Sequence, residues 1–336
     1  MNRIYTIIVS TIFLLCCNLS LAQMGRNYSM WFKNPMQYNP AAAGTNDNNL
    51  RLFTNFRYQY FTVMDNPYRT ISGSIEGKMF KSSLSNGYIG TGAHFMNDVS
   101  GDGRYSISSL GVPIAYHLEI DRDNHVTVGL QPGFYQRSIS GGNLTWESQW
   151  TGAQFNTDLP GEGIPNASTQ QFDLGAGILY RFQPNNTNKF VIGYGANHII
   201  RPDLAFNITD ELYMQHNIHV GGSIRNNLSS LGFSPHALVM LQGPNRNVML
   251  GSNFDFYLQD PSLRTDFFQP TIFSFGVYHR FLDAIIANFM FSFKGLTIGV
   301  SYDSNISILP QSSSVGAFEL NLLYDIDVNR RQKFIR

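Results

Sequence analysis

Apolar and polar residues alternate strictly in short stretches along most of the chain. In Ile71-Ser72-Gly73-Ser74-Ile75-Glu76-Gly77-Lys78-Met79 both charges fall on one parity and the bulky apolar residues on the other. Successive side chains of a β-strand point to opposite faces, so the segment has one greasy face and one wet face. Segments 50–60, 70–79, 88–97, 105–119, 125–138, 171–182, 189–198, 214–225, 232–242, 247–258, 271–281, 284–294, 296–304 and 315–326 all read as strands. Lengths near ten residues match a tilted membrane strand. The pattern predicts an all-β chain: a transmembrane antiparallel β-barrel of about 14 strands, spanning 50–336, preceded by a short N-terminal segment.

The charges test the faces. With faces assigned from bulky apolar residues alone, Arg51, Arg57, Glu76, Lys78, Glu119, Arg137, Asp173, Arg181, Lys189, Arg225, Asp255, Arg280, Lys294, Asp303, Glu319 and Asp325 all take the other parity. Arg or Lys turned toward mid-bilayer lipid costs about 2–4 kcal/mol, so a membrane wall excludes charge from that face. Arg51, Arg57, Glu76, Lys78, Asp173, Arg181, Asp255, Asp303 and Glu319 are the candidate lumen charges. Neighbours of mixed sign, such as Glu76/Lys78 and Asp173/Arg181, suit a hydrogen-bonded network that stiffens the barrel; a conducting channel would hold the same residues with water between them. Tyr60, Tyr116, Phe134, Tyr180, Phe182, Tyr302 and Tyr324 lie on the apolar parity near strand ends, as an interfacial girdle would. A soluble sandwich also alternates, with its greasy face as core, and is the alternative fold.

Residues 1–22 read as a signal peptide. Arg3 gives a positive start, an apolar run follows, and Ser20-Leu21-Ala22 sets small residues for cleavage before Gln23. Cys16 and Cys17 are the only cysteines, and Leu15 stands where a lipoprotein signal wants a small residue. The mature chain therefore has no disulfide, thiol nucleophile or cysteine metal site. Beyond the signal no stretch of about 18 apolar residues exists, so no helix crosses a membrane. Charged residues make up 14% of the chain, against a usual share of about 25%. The 23 basic and 23 acidic residues cancel, which leaves no electrostatic footprint for nucleic acid.

Enzymatic motifs are missing. There is no His-Glu-x-x-His, phosphate loop or Gly-x-Ser-x-Gly. His216 and His219 are three apart, which on a strand puts them on opposite faces, whereas a zinc pair needs convergent ligands. The Asp98–Asp102 stretch lacks the spacing of a calcium loop. No catalysis, metal or cofactor is expected.

One motif is sharp: Met36-Gln37-Tyr38-Asn39-Pro40-Ala41-Ala42-Ala43-Gly44. Pro40 fixes φ, Asn39 can bond its own backbone and Gly44 supplies a permissive position, which together describe a tight turn. Residues 23–49, which contain it, lie in the periplasm or tuck into the lumen as a plug. The block Tyr38, Asn39, Pro40, Ala41, Ala43 and Gly44 also resembles the N-terminal signature of the PorP/SprF family, outer-membrane proteins of type IX secretion and gliding motility in Bacteroidota. The resemblance continues in order: Phe32-Lys33-Asn34-Pro35 before the block, Arg57-Tyr58-Gln59, Gly90-Thr91-Gly92 with Asn97-Asp98, Asp173-Leu174-Gly175-Ala176-Gly177, Gly299-Val300-Ser301-Tyr302-Asp303, and Phe318-Glu319-Leu320. The chain departs from the family at Phe318, where members often carry His, and in its basic end, Arg330-Arg331-Gln332-Lys333-Phe334-Ile335-Arg336.

The resemblance implies a non-enzymatic outer-membrane protein that binds, escorts or anchors a secreted cargo through the cargo's C-terminal domain and meets components of the secretion machine. Outer-membrane lipid is its solvent; oligomeric state stays open. With the first strand running outward, the connectors at 139–170, carrying Trp146 and Trp150, and at 199–213 face outside as a candidate cargo surface. The runner-up is a diffusion or hydrophobic-solute channel, which steady large pores in planar bilayers would favour. The face assignment predicts that Leu174→Arg blocks assembly whereas Gly175→Arg is better tolerated, read from heat-modifiable gel migration.

Overall fold

A computed structural model describes residues 27–46, 49–62, 64–80, 84, 86–140, 144, 146–156, 158–160, 167–185, 187–206, 209–226, 229–259, 270–306 and 316–326. The expected signal peptide (1–22), the basic end (330–336) and parts of the connectors at 139–170, 199–213 and 259–270 lie outside the described residues.

Among the described residues, fifteen strands form one antiparallel sheet: β1 (Leu50–Gln59), β2 (Tyr68–Met79), β3 (Gly87–Ser100), β4 (Tyr105–Gly111), β5 (Ile114–Glu119), β6 (Asn124–Ile139), β7 (Ala167–Phe182), β8 (Lys189–Asn197), β9 (Gln215–Arg225), β10 (Leu231–Gln242), β11 (Asn245–Gln259), β12 (Thr271–Arg280), β13 (Ala284–Phe293), β14 (Leu296–Asn305) and β15 (Ala317–Ile326). Apart from β4 and β5, each strand pairs with its neighbours in sequence, and β1 pairs with β15 from Leu50↔Ile326 to Gln59↔Ala317, so the sheet closes into a barrel. Closure removes both edges of the sheet, as a lipid-embedded sheet requires.

β4 and β5 share one place in the wall. Both pair with β3 on one side and β6 on the other. Val112 and Pro113 interrupt them, because proline has no N–H for the ladder. The break is bridged locally: Gly92 N–H donates to Pro113 O (3.2 Å) and Val112 N–H to Pro132 O (3.0 Å). The segment expected at 105–119 is thus two strands end to end, and the wall keeps fourteen strand positions.

The apolar parity faces out all the way round. Leu130 is 59% exposed and Ile114 51%, and Leu52, Ile75, Phe95, Ile178, Val220, Leu250, Phe289, Ile298 and Leu322 join them. A soluble protein does not leave such a continuous belt in water. The greasy face is therefore the lipid face, and the sandwich alternative falls. Tyr116, Tyr180, Phe182, Phe190, Phe293 and Tyr324 stand exposed toward the end of the barrel where β1 begins and β15 finishes, hereafter the terminal mouth. Two residues depart from the expected faces. Tyr60 lies beyond β1 with φ 62°, and Lys294 occupies the β13–β14 turn with φ 49°, its ammonium 4.9 Å from the Phe293 ring centre.

Connectors at the terminal mouth are turns where described. Between β5 and β6 the Asp121 carboxylate accepts from the backbone N–H of Asp123 (2.9 Å) and Asn124 (2.8 Å). These bonds hold its pKa below the usual carboxylate value. The opposite, loop mouth mixes tight links, such as Gly243-Pro244, with the long 140–166 and 198–214 connectors.

Candidate functional site

The inner face alone would leave a bore, and residues 27–46 occupy it. Three short 3₁₀ turns, Trp31–Lys33, Pro35–Gln37 and Pro40–Ala42, fold this segment into a plug in which Met36, Asn39, Ala41 and Ala43 are fully buried. Its course runs from mouth to mouth. At one end Arg280, near the loop end of β12, donates to Asn27 O (3.3 Å), and Asn247 bonds the Asn27 side chain. At the other, Lys189 and Arg181 at the terminal ends of β8 and β7 reach Thr45 O (3.4 and 3.5 Å).

The Tyr38–Gly44 block rests on a cradle of inward glycines. A Cβ on Gly129 would lie 2.5 Å from Ala41 N, and one on Gly195 would lie 2.8 Å from Asn39 Cα. Gly177 and Gly193 abut the Asn39 side chain and Gly90 the Ala43 carbonyl. Small residues in the plug and absent side chains in the wall let two backbones meet, as glycine alone permits. Asn39 then works in both directions. Its Oδ1 accepts from Ala41 N–H (3.0 Å), capping the third turn, while Nδ2 donates to Ile178 O (3.1 Å) and lies 3.0 Å from His219 Nε2. Asn217 donates to Tyr38 O (2.8 Å), and His117 Nε2 lies 2.7 Å from Ala43 O. Gly44, at φ +74°, donates its N–H to Glu76 (2.8 Å) and accepts at its carbonyl from the Tyr88 hydroxyl (3.1 Å).

The first residues of the plug are held by charge. Arg57 donates to Asp303 (2.8 Å), Glu319 (3.3 Å) and the Ser29 hydroxyl (2.7 Å). Arg280 also reaches Asp303 (3.0 Å). Glu319 accepts the backbone N–H of Ser29 (2.8 Å) and of Met30 (3.1 Å). Arg57, Arg280, Asp303 and Glu319 are all buried, so two guanidiniums and two carboxylates balance inside the wall and grip the plug backbone. Removing one member of such a buried set strands the others and typically costs about 3–5 kcal/mol.

The remaining candidate charges lie on the inner face but do not form one network. Arg51 chelates Asp325 (2.7 and 3.1 Å) and lies 3.9 Å from Glu76. Lys78 sits 5.2 Å from the centre of the Tyr88 ring. Asp173 meets His198 (2.7 Å), and Asp255 accepts from the hydroxyls of Ser234 and Ser274 (2.5 Å each). The pairs named from sequence are not made. Asp173 and Arg181 are eight residues apart on one strand, roughly 27 Å at 3.4 Å per residue, and Glu76 turns to Gly44 and Arg51 instead of Lys78. His216 and His219 do part: His216 bonds Tyr194 on the outer side and His219 meets the plug. In the long loop, Trp150 is exposed and packs against Phe155 (5.0 Å between rings), while Trp146 is half-buried.

Two features escape a reading by parity. One is an apolar cluster inside the bore: Tyr28, Trp31 and Tyr38 of the plug against Met96, Leu238, Met240, Met249, Tyr278 and Ile286 of the wall. The other is a cavity of about 600 Å³ between the plug and the terminal mouth, lined by Phe32, Lys33, Arg51, Lys189, Asp255 and Asp325 among others. Ser29, Gly129, Gly193 and Gly195 carry no motif of their own, whereas Gly90 and Gly177 fall in stretches that resemble the family and Arg280 falls on the charged parity. The available signal was glycine recurring on the polar parity, in Gly175-Ala176-Gly177 and Gly193-Tyr194-Gly195.

Fold and site define a membrane β-barrel whose lumen is stoppered by its own N-terminal segment. The chain belongs to the family described as type IX secretion system membrane protein PorP/SprF, whose model matches residues 20–324. No curated protein matches it. Among solved structures it is similar to the toluene transporter TbuX of Ralstonia pickettii (12% identity, TM-score 0.50, covering 87% of this chain and 92% of that one). It is similar to the monoaromatic hydrocarbon channel CymD to the same degree (11% identity, TM-score 0.50, covering 88% and 93%). At these identities the likeness is one of fold.

The geometry yields two expectations. Glu319→Ala or Gly129→Val loosens the plug, so that limited proteolysis cleaves within 27–46 and planar bilayers show pore steps that the wild type lacks. The cradle also revises the comparator for Leu174→Arg. A Cβ on Gly175 would come within 2.9 Å of Asn197 Oδ1 and 3.4 Å of Pro40, so Gly175→Arg disturbs the plug. Thr297, which faces the cavity, is the inward site at which Arg leaves gel migration intact.

Proposed function

We propose that this barrel is a non-enzymatic outer-membrane component of type IX secretion that binds, escorts or anchors one secreted cargo protein. The family match over residues 20–324 carries the reading. The plug supports it: a bore filled by the chain's own family motif leaves the two mouths and their loops as working surfaces. In this reading the signal peptide sends the chain to the outer membrane, and the terminal mouth faces the periplasm and the secretion machine. The long loops face outward, where the Trp150–Phe155 pair offers the cargo's C-terminal domain an apolar contact of the kind that anchors interfaces. In a gliding bacterium of the Bacteroidota the cargo would be a surface adhesin. The hydrocarbon channels share the fold, and the channel alternative requires the plug to leave or shift.

Deleting the gene and cataloguing surface proteins is the direct test. At least one exported protein should be lost from the surface or mislocalised, and Trp150→Ala with Phe155→Ala should reproduce that loss while the barrel itself assembles. An unchanged surface in the deletion strain refutes the reading.

A further inference from the structure

We propose that the cavity at the terminal mouth is a docking socket for an acidic polypeptide segment that also carries an aromatic side chain. On the reading above, that segment belongs to a periplasmic component of the secretion machine.

The lining is built for such a ligand. Its floor is aromatic: Phe32 stacks on His236 (4.5 Å between rings, 18°) and on Tyr278 (5.2 Å, 11°), with Trp31 edge-on to His236 at 6.1 Å. Aromatic floors held rigidly in this way anchor apolar side chains at little entropic cost. Among the described residues three cations, Lys33, Arg51 and Lys189, line the cavity against two carboxylates, Asp255 and Asp325. Both carboxylates are already supplied with donors. Asp325 is chelated by Arg51, and Asp255 takes two serine hydroxyls.

Lys33 differs from the other cations. Its ammonium lies 5.8 Å from the centre of the Phe32 ring and makes no hydrogen bond or ion pair among the described residues. A cation beside an aromatic ring, deep in a partly desolvated cavity, attracts an anion more strongly than one at the surface. At about 600 Å³ the space is within the usual range of ligand pockets. The chain's own continuation past Ile326 is a poor occupant, since Arg330, Arg331, Lys333 and Arg336 outweigh its one acidic side chain, Asp327, and would bring cations to a cation.

Trp31 lines the cavity and reports on it. In a barrel carrying Trp146→Phe and Trp150→Phe, purified in detergent, Trp31 is the remaining tryptophan. The probe is a blocked hexapeptide alternating Asp or Glu with Phe; the control replaces its acids with Lys. The acidic peptide should change Trp31 fluorescence saturably and the basic one should not. Lys33→Glu should weaken binding by about tenfold or more, and Lys33→Arg should keep it. A missing saturable response, an equal response to both peptides, or full affinity in Lys33→Glu overturns the socket. So does binding of N-acetylaspartate as tight as that of the peptide, which would mark a small-anion site. The secretion reading fails separately: saturable peptide binding together with an unchanged surface in the deletion strain removes the machine and leaves the socket.

Discussion

Peptide groups in hydrocarbon have no water to turn to, and this one constraint sets the rest of the structure. A sheet in lipid must close, and here the ten-residue β1–β15 ladder closes it. Closure at this strand number encloses a bore too wide for wall side chains alone, since narrower barrels are the ones that fill themselves. Something must occupy that space, and the residues immediately before β1 do so.

The plug is held by two different kinds of chemistry. Around residues 38–44 the interaction is steric: backbone lies on backbone over Gly129, Gly177 and Gly195, and the amide of Asn39 fixes the register. Around residues 29–30 it is electrostatic, with Arg57, Arg280, Asp303 and Glu319 surrounding one serine. The first kind tolerates no added atoms, and the second no unbalanced charge. Between them lies an apolar cluster of methionines and aromatics, whose adaptable side chains fill the irregular space left by a plug with little regular structure.

Much of the wall was legible in the sequence because alternation is a local property. Strand ends fell within a few residues. The interruption at Val112-Pro113 leaves no mark on the alternation, because both halves keep the same parity on either side of the break. Pairing within the bore was not legible, because partners such as Ser29 and Glu319 are 290 residues apart. Nor were Met240, Met249 and Ile286, which point inward against the polar rule. They are buried there because the plug offers them greasy surface, and that surface exists only in the folded chain. The block around Asn39 read locally as a turn, and so it is; the glycines that receive it stand on four other strands.

The path of the plug constrains how the molecule is made. One end of segment 27–46 sits at the loop mouth and the other joins β1 at the terminal mouth, so the segment is threaded through a closed ring. A stopper of that kind cannot be fitted afterwards without drawing a free end through the hole. The simplest order of assembly is for the first and last strands to zip together around a segment already lying in place. The seam between β1 and β15, which carries Arg57 and Glu319 opposite each other, then fastens wall and stopper in the same step.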